Sequence, residues 1–141
     1  MTASATVSRR WKALDSFHQH VASQIERQLQ EEFGVTPREY DALVALAGGA
    51  GAAGHQVRAV AGAIGLSPSA TSRLLSRLHR RDLIDIHISD LDRRALDIRL
   101  TSEAQELLRR GPAVLERITA AAIGSLDAAE HDPVLLRWLA G

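Results

Sequence analysis

Arginine side chains gather in one short, helix-like segment of this chain. Between Ala70 and Arg81 the sequence has four arginines and neither aspartate nor glutamate. Helical spacing over 68–81 places an alanine and three leucines on one face and serines with arginines on the other. A guanidinium group can bind a phosphate or a guanine edge, and short serine side chains let a helix approach base edges closely. The segment taken alone is typical of a solvated basic helix face, which is common, and it also has the residues needed to bind nucleic acid.

A β-hairpin is predicted immediately after this helix. Apolar and polar residues alternate over 84–89 and again over 96–100, with the period of two that is typical of half-buried strands. The turn between the two runs carries Arg93 and Arg94. Exposed arginines at the tip of a hairpin can enter a DNA minor groove, where narrow A·T tracts have a deep negative potential. The helix followed by the hairpin favours DNA binding over a merely solvated basic face.

Helices upstream would position this pair. An apolar stripe over 11–33 predicts one long helix, whereas residues 1–8 are small and polar and predict a frayed tail. The sequence TPRE at 36–39 has the form of a capping box and opens a second helix. A short helix over 57–64 ends at a turn in which Ser67 caps the arginine-bearing helix. This order is that of a helix-turn-helix followed by a hairpin.

Further helices are predicted after the hairpin. Thr101 caps a helix in which Gly111 and Pro112 interrupt the pattern. Because proline lacks an N–H and clashes with the preceding turn, a kink or a break is expected there. Asp127 with Glu130 then opens a last helix in capping-box fashion.

The composition is that of one ordinary globular domain, with 141 residues of which 45% are apolar and 24% charged. No apolar run approaches the ~18 to 20 residues that span a bilayer. The N-terminus lacks a signal-peptide pattern, so we expect a cytoplasmic protein without membrane contact. Cysteine is absent, which excludes disulfides and thiol switches within this chain. The formal net charge is zero, so DNA binding would depend on a local basic surface.

Four segments resemble the MarR family of bacterial winged helix-turn-helix transcriptional regulators. The second helix, VTPREYDALVAL, is similar to that family's opening, and IGLSPSATSRLLSRLHRRDLI is similar to its recognition-helix segment. DRRALDIRLT resembles the family's wing signature, and LDAAE resembles the start of its final helix. The resemblance extends from about Leu14 to Leu139, nearly the whole chain.

The resemblance implies a mainly α fold with a small β-hairpin, in a single domain over 1–141. Residues 10–34 and 102–140 would form the dimerisation helices of a homodimer, and 36–101 would form the winged lobe. The dimer would bind a palindromic operator in double-stranded DNA, most simply as a repressor. The residues that would contact DNA are Ser67, Ser69, Thr71, Ser72, Arg73, Arg77, Arg93 and Arg94, and Asp92 would brace Arg94.

Several positions depart from the family pattern, among them Ala104, which replaces a usual glycine, and Pro112, which is unusual in a long dimerisation helix. Ala70-Thr71 stands where the recognition helix usually has Thr-Val, so the residues that read bases differ. Asp82 replaces the usual glycine after the helix, although aspartate tolerates the left-handed conformation better than most residues. Ile86 stands where an arginine is common, which removes one basic residue from the wing.

A small-molecule effector is a further implication of the resemblance. A small, often aromatic or anionic molecule would loosen DNA binding by changing the distance between the two winged lobes. The pocket would be lined by Trp11, Phe17, His18 and Tyr40. The alternative is that these residues belong to the ordinary core.

Other classes of function remain as alternatives. Sequence spacing assembles no catalytic nucleophile, base and orienting group, so we expect neither an enzyme nor a cofactor. A winged-helix module that binds proteins instead of DNA would fit the zero net charge. A metal-responsive regulator could use His18 and its neighbours, although no metal site is predicted from the spacing.

Overall fold

The computed structural model describes residues 3–51, 55–90, 92–93 and 95–125, together with 133 and 137. Within them the chain forms α1 (Ala3–Phe33), α2 (Pro37–Ala47), α3 (Gln56–Ile64), α4 (Pro68–Arg80), β1 (Ile84–Ile88), β2 (Leu96–Leu100) and α5 (Ser102–Gly124). The predicted mainly helical fold with a small hairpin is confirmed. None of the helices in this part of the chain has the length and apolar character needed to cross a bilayer. The predicted start of the last helix, at Asp127, lies outside the described residues.

The chain divides into two compact units. One unit comprises residues 35–111 and contains α2, α3, α4, the hairpin and the first part of α5; we call it the winged lobe. The other unit contains α1 and the remainder of α5. The arginine-bearing helix and the hairpin thus belong to the same unit.

Side-chain caps fix where the helices of the winged lobe begin. At the start of α2, the Thr36 hydroxyl accepts the Glu39 N–H at 3.2 Å and the Glu39 carboxylate accepts the Thr36 N–H at 3.0 Å. At the start of α4, the Ser67 hydroxyl accepts the Ala70 N–H at 3.2 Å. Each cap is followed by a proline at the first turn, where no N–H is needed. Both predicted N-termini are confirmed.

Every element of the winged lobe contributes to its core. α4 contributes three leucines, none more than 2% exposed, which leaves its serines and arginines on the opposite, exposed face. These leucines share the core with residues of the other elements, namely Ala42, Leu43, Val60, Ala61, Ile64, Leu83, Ile84, Ile98, Ala104 and Leu107. The burial of one helix face is what orients the arginine face outwards.

The hairpin leaves the core as it approaches its tip. Ile84 pairs with Leu100 at the base and Ile88 pairs with Leu96 near the turn, in an antiparallel register. Ile84 is fully buried, whereas Ile88 is 67% exposed. The end of the hairpin therefore projects from the lobe as a wing.

A side chain pairs with the outer edge of β2. The Gln56 amide accepts the Ile98 N–H at 2.6 Å and donates to the Ile98 carbonyl at 3.2 Å. The amide thereby reproduces the donor and acceptor of a neighbouring peptide group, as a third strand would do. Because Ile98 is only 4% exposed, water cannot readily replace these bonds.

Gln56→Ala is expected to lower the free energy of unfolding by about 2 kcal/mol, because it leaves a buried N–H and C=O without partners. Chemical unfolding would measure this loss, and amide hydrogen exchange at Ile98 would localise it. As a control, Gln28→Ala removes an exposed contact with Glu31 and should change stability by less than about 0.5 kcal/mol. Wild-type exchange at Ile98 in the Gln56 variant would contradict this role.

A second side chain ties the end of α4 to the start of α5. The Thr101 hydroxyl accepts the Ala104 N–H at 3.2 Å and donates to the Asp82 carbonyl at 2.7 Å. Asp82 has a φ of 55°, so it does adopt the left-handed conformation expected for the position after the helix. Thr101 is thus both the predicted helix cap and a brace for the turn into the wing.

Two predictions about helix boundaries are wrong. α1 begins at Ala3 and not near residue 10, because alanine has the highest helix propensity and the small residues at the start do not stop the helix. α5 continues through Pro112 without a break. The residue before proline normally avoids helical backbone because its Cβ clashes with the ring, and Gly111 has no Cβ.

Candidate nucleic-acid interface

The exposed face of α4 is the basic surface that the sequence predicted. Three of its arginines line a surface cleft together with two serines, namely Ser72, Arg73, Ser76, Arg77 and Arg80. The Ser76 hydroxyl donates to the Ser72 carbonyl one turn earlier, at 2.9 Å. The Ser76 hydroxyl is therefore held against the helix backbone, and the arginines are the longer groups that reach outwards.

The arginines of this face differ in their partners. Within the described part of the chain, Arg73 and Arg80 form no ion pair, and both are exposed. Arg77 lies next to a carboxylate, with its Nε 3.5 Å from the Glu39 Oε1. Arg73 and Arg80 can thus bind an incoming anion without first breaking an internal contact. Arg80 was not among the predicted contacts, although its place on the exposed helical face was visible in the spacing.

The N-terminal end of α4 carries the remaining predicted serine contacts. Ser67 and Ser69 are exposed, and their hydroxyl oxygens lie 3.4 Å apart. Ser67 also caps the helix through Ala70, so its hydroxyl has a structural partner already. Backbone N–H groups and small side chains at a helix N-terminus form a surface that a phosphate can approach.

Thr71 does not belong to this surface. Its side chain is fully buried, and among the described residues its hydroxyl has no hydrogen-bond partner. Ala70, which was expected on the buried face, is only partly buried. The predicted DNA contact by Thr71 is therefore corrected, because a side chain without exposed surface cannot reach DNA from the outer face of the helix.

Thr71→Val is expected to raise the free energy of unfolding by about 1 kcal/mol, because the isosteric change removes a buried hydroxyl that lacks a partner. Binding to duplex DNA should be unchanged. Thermal unfolding and a DNA titration on the same preparation would test both statements. Thr71→Ala is the matched control, since it removes the hydroxyl but leaves a cavity and should not stabilise. A valine variant that binds DNA several-fold more weakly would restore Thr71 to the interface.

The wing tip is described in part. Asp92 and Arg93 are exposed in the turn between the strands. Arg94 lies outside the described residues, so its contact with DNA and its bracing by Asp92 stay predictions. The stem of the wing carries one arginine, Arg99, which pairs with Asp97 at 2.6 Å. The Asp97 carboxylate raises the pKa of that guanidinium.

The residues of the predicted effector pocket belong to both units. α1 carries Trp11, which is 64% exposed, His18, which is exposed, and Phe17, which is half-buried. Tyr40 is buried in the winged lobe, and its burial, followed by the charge of Asp41, raises the pKa of its phenol. The effector pocket stays a prediction. Among the described residues, no three histidine, aspartate or glutamate side chains converge as a metal site would require.

Sequence reasoning missed one residue that contacts the arginines of the candidate interface. Glu39 is buried, and its carboxylate lies between Arg77 and Arg81, 3.5 Å and 3.4 Å from their nearest nitrogens. The capping-box pattern identified Glu39 only as a local cap. Nothing in the sequence indicated that a residue of α2 contacts the arginines of α4.

A buried leucine face, an exposed arginine face and a projecting hairpin define a winged helix-turn-helix protein. A model of the MarR family matches residues 33–95, which extend from the last residue of α1 to the residue before β2. The predicted resemblance to the MarR family is confirmed by this match, and the fold of the chain is similar to that of solved transcriptional regulators. No curated protein matches the sequence.

Solved structures have a similar fold along most of the chain. The PcaV transcriptional regulator from Streptomyces coelicolor is 27% identical to this chain and has a TM-score of 0.68. The alignment covers 99% of this chain and 93% of the PcaV chain. Sco3205 is a MarR family regulator from the same organism that was solved in complex with DNA. It is 22% identical to this chain with a TM-score of 0.71, and the alignment covers 99% of this chain and 83% of the Sco3205 chain. The DNA binding of BpsR from Bordetella bronchiseptica is regulated by 6-hydroxynicotinic acid. BpsR is 21% identical to this chain with a TM-score of 0.64, and the alignment covers 90% of this chain and 86% of the BpsR chain.

Proposed function

We propose that this protein is a sequence-specific, double-stranded DNA-binding transcriptional repressor that acts as a homodimer on a palindromic operator. The observation that carries the proposal is the exposed face of α4, where Arg73 and Arg80 face solvent without an ion pair in the described structure. A buried leucine face fixes the direction in which these arginines point. Such a surface neutralises phosphates when α4 enters a major groove.

Different residues of the winged lobe would provide affinity for DNA and specificity for its base sequence. Arginines that bind phosphates release counterions and give affinity that does not depend on sequence. Ser69, Ser72 and Arg73, towards the N-terminal half of α4, are placed to read base edges. The wing with Arg93 would bind the neighbouring minor groove. A repressor of this kind acts by occupying the operator and excluding other proteins from it.

In the homodimer, the second protomer would bind the second half-site of the operator. A two-fold axis would place two α4 helices about 34 Å apart, one turn of DNA, so that each reads one half-site. MarR regulators related in structure bind DNA or are regulated by small molecules: Sco3205 was solved with DNA, and the DNA binding of BpsR responds to 6-hydroxynicotinic acid. A small aromatic or anionic effector would by analogy release this protein from its operator.

DNA selection from a random library would test the proposal. The dissociation constant for the enriched duplex should be at least about 1,000-fold lower than that for a random duplex of the same length. Binding to both should weaken steeply between about 50 mM and 200 mM salt. Inserting about five base pairs between the half-sites turns them to opposite sides of the helix and should abolish tight binding. A lack of enrichment together with salt-independent binding would favour a protein-interaction module.

A further inference from the structure

The carboxylate of Glu39 has more partners than a helix cap requires. It accepts the Thr36 N–H at 3.0 Å within the capping box, and it also contacts two arginines that lie on another helix and at its end. Its side chain is only 6% exposed, whereas the side chains of Arg77 and Arg81 are 50% and 39% exposed. A buried charge thus holds two partly exposed charges at the edge of the candidate interface.

The geometry of the Arg77 contact matters for DNA binding. The Glu39 Oε1 lies 3.5 Å from the Arg77 Nε, at the inner end of the guanidinium group. A guanidinium has five N–H donors in a planar fork. A contact through Nε leaves the two outer nitrogens for a second acceptor, and a phosphate accepts such a pair bidentately.

We propose that Glu39 is a positioning residue for DNA binding: it fixes Arg77 through Nε and so presents the outer edge of its guanidinium to a phosphate. This proposal rests on the proposed function and assigns a residue of α2 to an interface that α4 and the wing were expected to form alone. Fixing a long side chain before binding reduces the conformational entropy that binding costs. The same carboxylate also contacts Arg81 at 3.4 Å.

A competing effect has the opposite sign. Glu39 is an anion near the DNA surface, and it partly neutralises the arginines that it contacts. If neutralisation were its main effect, removing the charge would strengthen DNA binding. If positioning dominates, removing the charge makes Arg77 less effective. A double-mutant cycle between Glu39 and Arg77 separates the two, because it reports only what one residue does through the other.

The experiment measures binding of the full chain to a labelled random-sequence duplex at low salt, which reports phosphate binding without a known operator. Glu39→Gln keeps an acceptor for the Thr36 N–H, because glutamine also completes a capping box. We expect Arg77→Ala to weaken binding by about tenfold in the wild-type background and by no more than about threefold in the Glu39→Gln background. The salt slope should fall by about 0.9 in the wild-type background, where one phosphate is no longer neutralised, and by less in the Glu39→Gln background.

Two controls make the cycle specific. Arg73→Ala should weaken binding equally in both backgrounds, because Arg73 is not among the ion-pair partners of Glu39. Glu32→Gln removes the carboxylate that Arg117 contacts at 2.7 Å in the other unit and should leave the effect of Arg77→Ala unchanged. Equal losses of affinity for Arg77→Ala in the wild-type and Glu39→Gln backgrounds would overturn the proposal.

A further variant keeps the proposal testable if Glu39→Gln fails to fold. Arg77→Lys retains the charge but has a single ammonium group, which cannot bind Glu39 at one end and a phosphate by a fork at the other. We expect this variant to bind the random duplex about fivefold more weakly than wild type, close to Arg77→Ala. Wild-type affinity for Arg77→Lys would contradict the positioning role. A wild-type protein that binds no duplex would refute the proposed function itself.

Discussion

Gly111→Ala is expected to lower the free energy of unfolding by about 3 kcal/mol, at the upper end of the usual cost of overfilling a packed interior. A Cβ at this position would overlap the Tyr40 Oη and would lie 2.7 Å from the Tyr40 Cε2. Tyr40 is 7% exposed, so its ring cannot turn into solvent. Alanine would also bring back the clash between Pro112 and the Cβ that precedes it. Together these costs exceed the gain of about 1 kcal/mol in helix propensity.

Chemical unfolding followed by far-ultraviolet circular dichroism would measure the change. Gly62→Ala is the matched control, because Gly62 lies inside α3 and nothing lies within 4 Å of an added Cβ. That variant should be more stable than wild type by up to about 1 kcal/mol. Tyr40→Phe removes the closest atom and should recover about 1 kcal/mol in the Gly111→Ala background only. If Gly111→Ala were as stable as wild type, the ring of Tyr40 would not constrain α5.

This glycine illustrates what a local sequence rule omits. Pro112 predicted an interruption, and the rule is correct for an isolated helix. The helix continues because the preceding residue has no Cβ and because Gly111 lies against the ring of Tyr40. A residue about seventy positions earlier in the chain explains why glycine is needed, and no pattern within the helix could indicate it.

The candidate interface was predictable where the periodicity of the sequence determines which face of a helix is buried. Leucines repeat at helical spacing along α4, so burial of that face fixes the direction of Arg73 and Arg80. The hairpin was predictable for the same reason, with a period of two. Thr71 was misassigned because a hydroxyl was interpreted as polar, although it precedes Leu74 and Leu75 by three and four positions and so shares their face.

The contacts that sequence could not indicate are long-range hydrogen bonds and ion pairs. Gln56 and Ile98 are 42 positions apart, as are Glu39 and Arg81. A single glutamine or glutamate has no periodic neighbours that would mark its partner. In both cases a buried backbone group or charge needed a partner, and the fold supplied it from another element.

Removing Arg73 and Arg80 together is expected to weaken binding to a random duplex by about 100-fold at low salt. Each charge-assisted hydrogen bond from an arginine to a phosphate contributes about 1.4 kcal/mol, which is about tenfold in affinity. The salt slope should fall by about 0.9 for each phosphate that is no longer neutralised. The two arginines are the exposed members of the cleft on α4 that form no ion pair within the described structure. Fluorescence anisotropy titrations at several salt concentrations would give both quantities.

The control must remove the same charge from elsewhere. Arg27 on α1 and Arg109 on α5 are exposed, and they contact Gln24 and Glu106 on their own helices. Their double alanine variant has the same net charge as the α4 variant and should bind within about twofold of wild type. Equal weakening by the two variants would mean that net charge, and not the face of α4, attracts DNA. If Arg73 also reads a base, Arg73→Ala alone will lower the preference for the selected duplex over the random one, whereas Arg80→Ala will weaken both alike.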